Sequence, residues 1–234
     1  MDVSGAAFGN QLMYFTNPQI QTYSQNEFAN PQGTEGAPIL NELSIESYKA
    51  PSERRRDVVG FEHDADLSDR RHAVYHHRAT KRVVMANRGT VPSKLRDLYT
   101  DAALTVGTFK GTKHYKNAVR KYQEVQSKYG KGQNYHLTGH SLGGMTTVAL
   151  HHRFPHSTTS STAFNPRGSI PGVFSSGIQK LGYKTRTQKE VQANHQSFIN
   201  TIDPVSNLSR HRKGLKTQKN FSLNPHSLTQ WQGF

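Results

Sequence analysis

Between Asn134 and Ala149 the chain reads NYHLTGHSLGGMTTVA, and Gly139, Ser141 and Gly143 within it form a G-x-S-x-G pattern. Tyr135–Thr138, just before it, has the character of a short buried strand. Met145–Phe154, just after it, is apolar and free of Gly and Pro, as a helix requires. This is the strand–turn–helix setting of a nucleophile elbow, in which a serine stands at the tip of a strained turn. The glycines are steric necessities there, because a side chain at either position would meet the neighbouring strand or helix. Average residue usage would place such a pattern in about one chain in ten of this length. The flanks, and partners elsewhere in the chain, must therefore carry the argument.

The rest of the chain alternates in a way that fits the elbow. Arg71–His77 and Lys81–Asn87 predict a hairpin joined at Ala79-Thr80. Val91–Gly107 contains a helical pattern with Leu95, Leu98 and Ala102-Ala103 inward. Thr112–Tyr129 is a stronger one: Tyr115, Ala118, Val119, Tyr122, Val125 and Tyr129 recur at helical spacing. Its other face carries Lys113, Lys116, Arg120, Lys121 and Lys128, and Gly130 and Gly132 end it. Thr158–Phe164 and Ser197–Ile202 predict two more strands, and Gly172–Gly182 a loop or short helix. Strands alternating with helices predict an α/β fold, a mostly parallel central sheet with helices on both faces. Residues 1–40 stand apart. They are rich in Asn, Gln, Gly, Ser and Thr and contain no Lys or Arg, which predicts a flexible or docking arm ahead of a single domain over 41–234. Order is expected to begin within Pro38–Ser47. Arg54-Arg55-Arg56 is expected to be a solvated helix face rather than a nucleic-acid contact.

A serine hydroxyl needs a base to take its proton, and the base needs an acid to orient it. In a sheet of this kind the chain order is serine, acid, histidine. Only Glu190 and Asp203 are carboxylates beyond the elbow. Glu190 sits in a polar stretch that reads as an exposed turn or helix. Asp203 closes the apolar run Phe198–Ile202, at the strand end where ligands bind in open α/β sheets, although an Asp before Pro204 also simply forms turns. Beyond Asp203 only His211 and His226 remain. His211 lies among Arg210, Arg212 and Lys213, where positive charge opposes an imidazolium. His226 is followed by Leu228 and Trp231, which can pin its loop, and is the favoured base. Two backbone N–H groups must also meet the developing oxyanion. Leu142 supplies the first from the helix start, and the loop Asn87-Arg88-Gly89-Thr90 is the best source of the second, at Thr90.

With these residues in place, the chain resembles the class 3 lipases, the α/β-hydrolases that include the fungal triacylglycerol lipases and various phospholipases A1. The matching pieces run in family order: Leu67-Ser68, Ala73-Val74-Tyr75, Arg88-Gly89-Thr90, Asp97–Asp101, Thr138–Gly144, Phe164-Asn165-Pro166, Asp203–Ser206 and His226-Ser227-Leu228. The resemblance implies Ser141 as nucleophile, Asp203 as acid, His226 as base, and Thr90 with Leu142 as the oxyanion hole. Asp101 matches a family carboxylate that supports the oxyanion loop from behind, and His140, beside the serine, belongs to the same supporting layer. Asn87 stands where the family usually has an aromatic residue. The interval Ala102–Thr112 is short, so only a small lid is expected.

The expected function is hydrolysis of carboxylic esters of acyl lipids, as a lipase or phospholipase A1. The chain contains no cysteine, which excludes disulfides, zinc–thiolate sites and cysteine nucleophiles; no metal and no cofactor is expected. The formal net charge of +14 favours anionic partners. The expected partners are an acyl lipid or phospholipid substrate and an anionic membrane surface. No nucleic-acid motif accompanies the charge, so no specific nucleic acid is expected. The second reading is a lipase scaffold of weak activity serving membrane docking or assembly, for example in a virus particle. No window approaches a membrane span, and the N-terminus lacks a signal-peptide pattern, so an intracellular or virion setting is expected over secretion.

Overall fold

The computed structural model describes residues 37–90, 112–154, 156–166, 194–200 and 216–220. Among the described residues eight strands form one sheet in sequential order. They are β1 (Asp57–Val58), β2 (Phe61–His63), β3 (His72–His77), β4 (Arg82–Asn87), β5 (Asn134–His140), β6 (Thr158–Phe164), β7 (His195–Asn200) and β8 (Lys216–Asn220). From β1 to β4 the pairing is antiparallel, and from β4 to β8 it is parallel. The predicted mostly parallel sheet is thus a mixed one, because tight turns at Val59-Gly60 and Arg78–Lys81 can only reverse the chain.

Alternation along the strands divides the core in two. Ala73, Tyr75, Val84 and Ala86 face one side, where they pack with Phe164, Phe198 and the helix α1 (Ala37–Glu46) through Ile39, Leu40 and Leu43. Val74, Val83 and Met85 face the other, against α2 (Lys113–Tyr129) and α3 (Leu142–Arg153). Helix α2 buries Tyr115, Ala118, Tyr122 and Val125, while Val119 and Tyr129 are half-buried, so the predicted stripe holds. Thr112 caps its start by accepting from the Tyr115 N–H at 3.2 Å, and Gly130, at φ 70°, ends it. Its outer face is partly neutralised: Lys121 meets Glu124, and Lys128 meets Asp64 at 2.8 Å.

Helix α1 begins at Ala37, inside the segment expected to be an arm, and Ser44 ties it to the sheet. The Ser44 hydroxyl donates to the Leu40 carbonyl at 2.9 Å and meets the Thr138 hydroxyl of β5 at 3.0 Å. The arginine triplet does not form a solvated helix face. After a single 3-10 turn at Pro51–Glu53, Arg54 is buried and gives its guanidinium to the carbonyls of Glu46, Ser47, Asp69 and His72. Two of these carbonyls belong to the end of α1, where helical carbonyls lack intrahelical partners. Arg55 pairs with Glu42 and Glu46 at 2.8 and 2.5 Å. Buried carbonyls and carboxylates at the helix end attract this arginine pair inward, and only Arg56 remains exposed.

The parallel strands carry an unusual polar layer. The His136 ring meets Ser160 at 2.6 Å and Thr162 at 3.2 Å, and His195 meets Ser161 at 2.7 Å and Ser197 at 2.8 Å. The Ser- and Thr-rich strand β6 is therefore buried with its hydroxyls satisfied. Among the described residues no helix is long and apolar enough to cross a membrane.

Candidate active site

Ser141 lies between the last residue of β5 and the first of α3, fully buried, with φ 56° and ψ −122°. A positive φ with ψ near −120° is nearly forbidden to a residue with a side chain, so the surrounding contacts must hold it. They do so on both sides. The Ser141 N–H donates to the Phe164 carbonyl at 3.0 Å, and its carbonyl accepts from the Met145 N–H at 3.0 Å. A β-carbon at Gly139 would come within 2.6 Å of the Gly143 carbonyl and 2.8 Å of the Asn87 oxygen. One at Gly143 would overlap the Asn87 carbonyl outright. Both glycines are required by close approach of the β4 end to the elbow.

That approach also brings in the loop Arg88-Gly89-Thr90. A β-carbon at Gly89 would lie 3.1 Å from the Ser141 β-carbon and 2.5 Å from the His140 carbonyl, so the loop rests directly on the nucleophile turn. Leu142 opens α3, and its N–H is one of those that a helix leaves without an internal partner. Thr90 is half-buried at the end of the same loop. The structure thus gathers Ser141, Leu142, His140 and the loop ending in Thr90. Asp203, His226 and Asp101 lie outside the described residues, as do the expected helix in Val91–Gly107, the Gly172–Gly182 segment and residues 1–36.

Two residues in this neighbourhood were not singled out as functional from the sequence. Tyr48 lies just past the end of α1. Its hydroxyl accepts from the Gly89 N–H at 3.2 Å and sits 2.8 Å from His140 Nδ1. Burial holds that hydroxyl protonated far above its ordinary range, opposed by the Gly89 hydrogen bond and the nearby Arg88 guanidinium, which lies 5.7 Å from the ring centre. The Gly89 N–H leaves the tyrosine's own proton available, so the hydroxyl can donate to His140 Nδ1 when that nitrogen is unprotonated. Asn87 is the second. Its side-chain N–H₂ donates to the Thr138 carbonyl at 3.3 Å and the Thr147 hydroxyl at 3.0 Å, tying β4 to β5 and α3 behind the oxyanion loop. A large aromatic ring in its place would lose both ties. No local signal marks Tyr48, and Asn87 stands out in the sequence only as a departure from the family pattern, since their partners lie 41 to 92 positions away.

A cationic edge surrounds this turn. Arg88 donates its N–H to the Arg71 carbonyl at 2.8 Å and its guanidinium to the Arg70 carbonyl at 3.1 Å. Arg71 in turn meets His114 Nδ1 at 2.9 Å, and His114 Nε2 meets the Thr146 hydroxyl of α3 at 2.9 Å. Burial, and then Arg71, push His114 down to about 4, so it is neutral near pH 7. Asp69 is held well below the usual carboxylate range. Burial opposes this, but hydrogen bonds from His72 and from the Arg71 and His72 backbone outweigh it.

A mixed sheet with helices on both faces and a strained serine between β5 and α3 defines an α/β-hydrolase-like fold. Comparison with solved structures agrees. The chain is similar to the crystal structure of Lip2 lipase from Yarrowia lipolytica, with a TM-score of 0.52 and 15% identity over 79% of this chain and 76% of that one. At that identity the likeness is one of fold. No protein-family model matches the chain, and no curated protein matches it either.

Proposed function

We propose that the protein is a serine hydrolase of carboxylic esters in acyl lipids, with Ser141 as nucleophile, His226 as base and Asp203 as the acid that orients it. The observation that carries this reading is the backbone of Ser141, held at φ 56° and ψ −122° by glycines packed against the β4 end. Strain of this kind persists only where the surroundings enforce it, and here it sets Ser141 against the loop that ends in Thr90. Strand direction supports the partners. Strands β7 and β8 run parallel to β5, so Asn200 and Asn220 end at the edge where Ser141 stands. Asp203 follows the first closely in the chain, and His226 the second.

In the proposed reaction the Ser141 hydroxyl attacks the ester carbonyl and His226 takes its proton. The oxyanion that forms is met by the N–H groups of Leu142 and Thr90, each worth roughly 3 kcal/mol. The intermediate collapses, the ester C–O bond breaks, and the departing alcohol takes the proton from His226. Water, activated by the same histidine, then cleaves the acyl-enzyme and releases the fatty acid. Asp203 stabilises the imidazolium in both halves.

Ser141→Ala should abolish release of acid from a short p-nitrophenyl ester, and a fluorophosphonate should label Ser141 in the folded protein. Unchanged turnover in the variant removes the assignment. Absence of labelling in folded protein favours the scaffold reading, since only an assembled triad activates the serine. Product analysis on defined phospholipid and triacylglycerol separates phospholipase A1 from lipase activity.

A further inference from the structure

The cations around the elbow are placed where local rules disfavour them. Helix α2 crosses from β4 to β5, so its start lies at the carboxyl end of β4, on the Ser141 edge. That start carries exposed Lys113 and Lys116 and no acidic residue in its first turn. Positive charge at a helix N-terminus opposes the macrodipole. Beside it, His72 pairs with Asn87, which sets the exposed Arg70 and Arg71 at the same edge, and Arg88 follows Asn87 directly. Among the described residues none of these five forms an ion pair with a carboxylate. Asp69, next to Arg70 in the chain, is taken by His72 and Lys121.

The opposite edge is different. There Lys128 meets Asp64 at 2.8 Å and Asp66 at 3.6 Å, and Arg78 meets Glu62 at 3.0 Å. Lys81 and Lys131 are also exposed at that edge outside these pairs, so what sets the elbow edge apart is the grouping of five cations without a carboxylate partner among the described residues. A chain departs from its local preferences chiefly where function requires it.

We propose that the elbow edge is the face with which the protein docks on an anionic phospholipid bilayer, seated by Arg70, Arg71, Lys113 and Lys116, with Arg88 behind them. Docking on this face turns the carboxyl ends of the parallel strands, and so Ser141, toward the lipid. The use of that orientation rests on the hydrolase reading; the docking itself does not. The charge complement is a surface of phosphodiester head groups, and a neutral surface offers no equivalent attraction.

The test uses the full chain carrying Ser141→Ala, so that vesicles are not consumed. Co-sedimentation is measured with vesicles of equal parts phosphatidylglycerol and phosphatidylcholine, and with pure phosphatidylcholine. Binding is expected to the first and not to the second. Adding Arg70→Glu and Lys113→Glu should weaken it at least roughly thirtyfold, about fivefold for each cation withdrawn from an anionic surface, with repulsion of the two added carboxylates increasing the loss. Lys113→Glu places an acid at the α2 start, which favours the helix, so the loss cannot be ascribed to unfolding. Lys81→Glu with Lys131→Glu, exposed positions at the far edge, changes net charge equally and should weaken binding far less. Equal loss in both pairs, full retention in the first, or no vesicle binding at all overturns the proposal. So does loss of single-stranded RNA binding in the first pair without loss of vesicle binding. Hydrolysis of a soluble neutral ester by the unmodified chain is assayed separately. Its failure would count against the hydrolase reading and leave the docking result standing.

Discussion

Gly143 has the least room of the glycines at the site. Its missing β-carbon is what lets the Asn87 carbonyl lie against the elbow, and Gly143→Ala would force the β4 end away from Ser141. The expected loss is about 3 kcal/mol of stability or more, read by equilibrium denaturation, together with loss of esterase activity. Tyr48 is a different case, because its ring packs while its hydroxyl orders the loop. Tyr48→Phe keeps the ring but leaves the Gly89 N–H without its acceptor and His140 without the hydroxyl at Nδ1. If Ser141 acts as proposed, kcat on a short ester should fall about fivefold with KM little changed, since one buried hydrogen bond is worth about 1 kcal/mol and the loop meets only the transition state. A parallel rise in KM would mean that the tyrosine positions substrate instead. The elbow itself was legible in the sequence, because a strand, a G-x-S-x-G turn and a helix are contiguous. Tyr48 and Asn87 were not, because their roles arise from contacts made only once α1 and β4 are folded beside β5.

Elements whose signals are local matched well. Strand β6 coincides with the predicted Thr158–Phe164, and α2 begins one residue after the predicted Thr112. Strand β7 starts at His195, ahead of the predicted Ser197, because His195 pairs with Ser161 of β6 and joins the ladder. The antiparallel half of the sheet was only partly readable: β1 and β2 are too short to show a period. The arginine triplet was misread because charge predicts exposure unless carbonyls and carboxylates wait inside. Arg54 spans the end of α1 and the start of β3, so it sets where Tyr48 stands. Arg54→Leu should leave several buried carbonyls without donors and lower stability by about 3 kcal/mol. Thermal denaturation measures this, and a change below about 1 kcal/mol would show that water replaces the guanidinium.

Across the whole molecule, the polar layer inside the parallel sheet sets how the fold responds to acid. Burial pushes His136 down to about 3, with Arg82 and His195 adding to the effect, and burial followed by His152 pushes His195 down to about 3. Both are fully buried between hydroxyls that bind the neutral ring. In the unfolded chain each titrates near 6.5. Above that pH neither state binds the proton and nothing is lost. Below it the unfolded state binds one proton more per ring, so stability falls as pH drops, until about pH 3 where the folded rings also titrate. At pH 5 this amounts to about 2 kcal/mol per ring, or about 4 kcal/mol for the pair, a large part of the stability of an ordinary domain. His114, pushed down to about 4, acts in the same direction. Asp69 contributes only at lower pH, since its folded value lies below the carboxylate range and its stabilisation disappears below about pH 4. The melting temperature is therefore expected to fall by roughly 10 °C between pH 7 and pH 5. The double substitution His136→Gln, His195→Gln keeps hydrogen-bonding groups beside the hydroxyls and removes the titration. It should lower stability at pH 7 and remove about half or more of the fall toward pH 5. A fall of the same size in the double variant would place the acid sensitivity elsewhere than in the sheet interior.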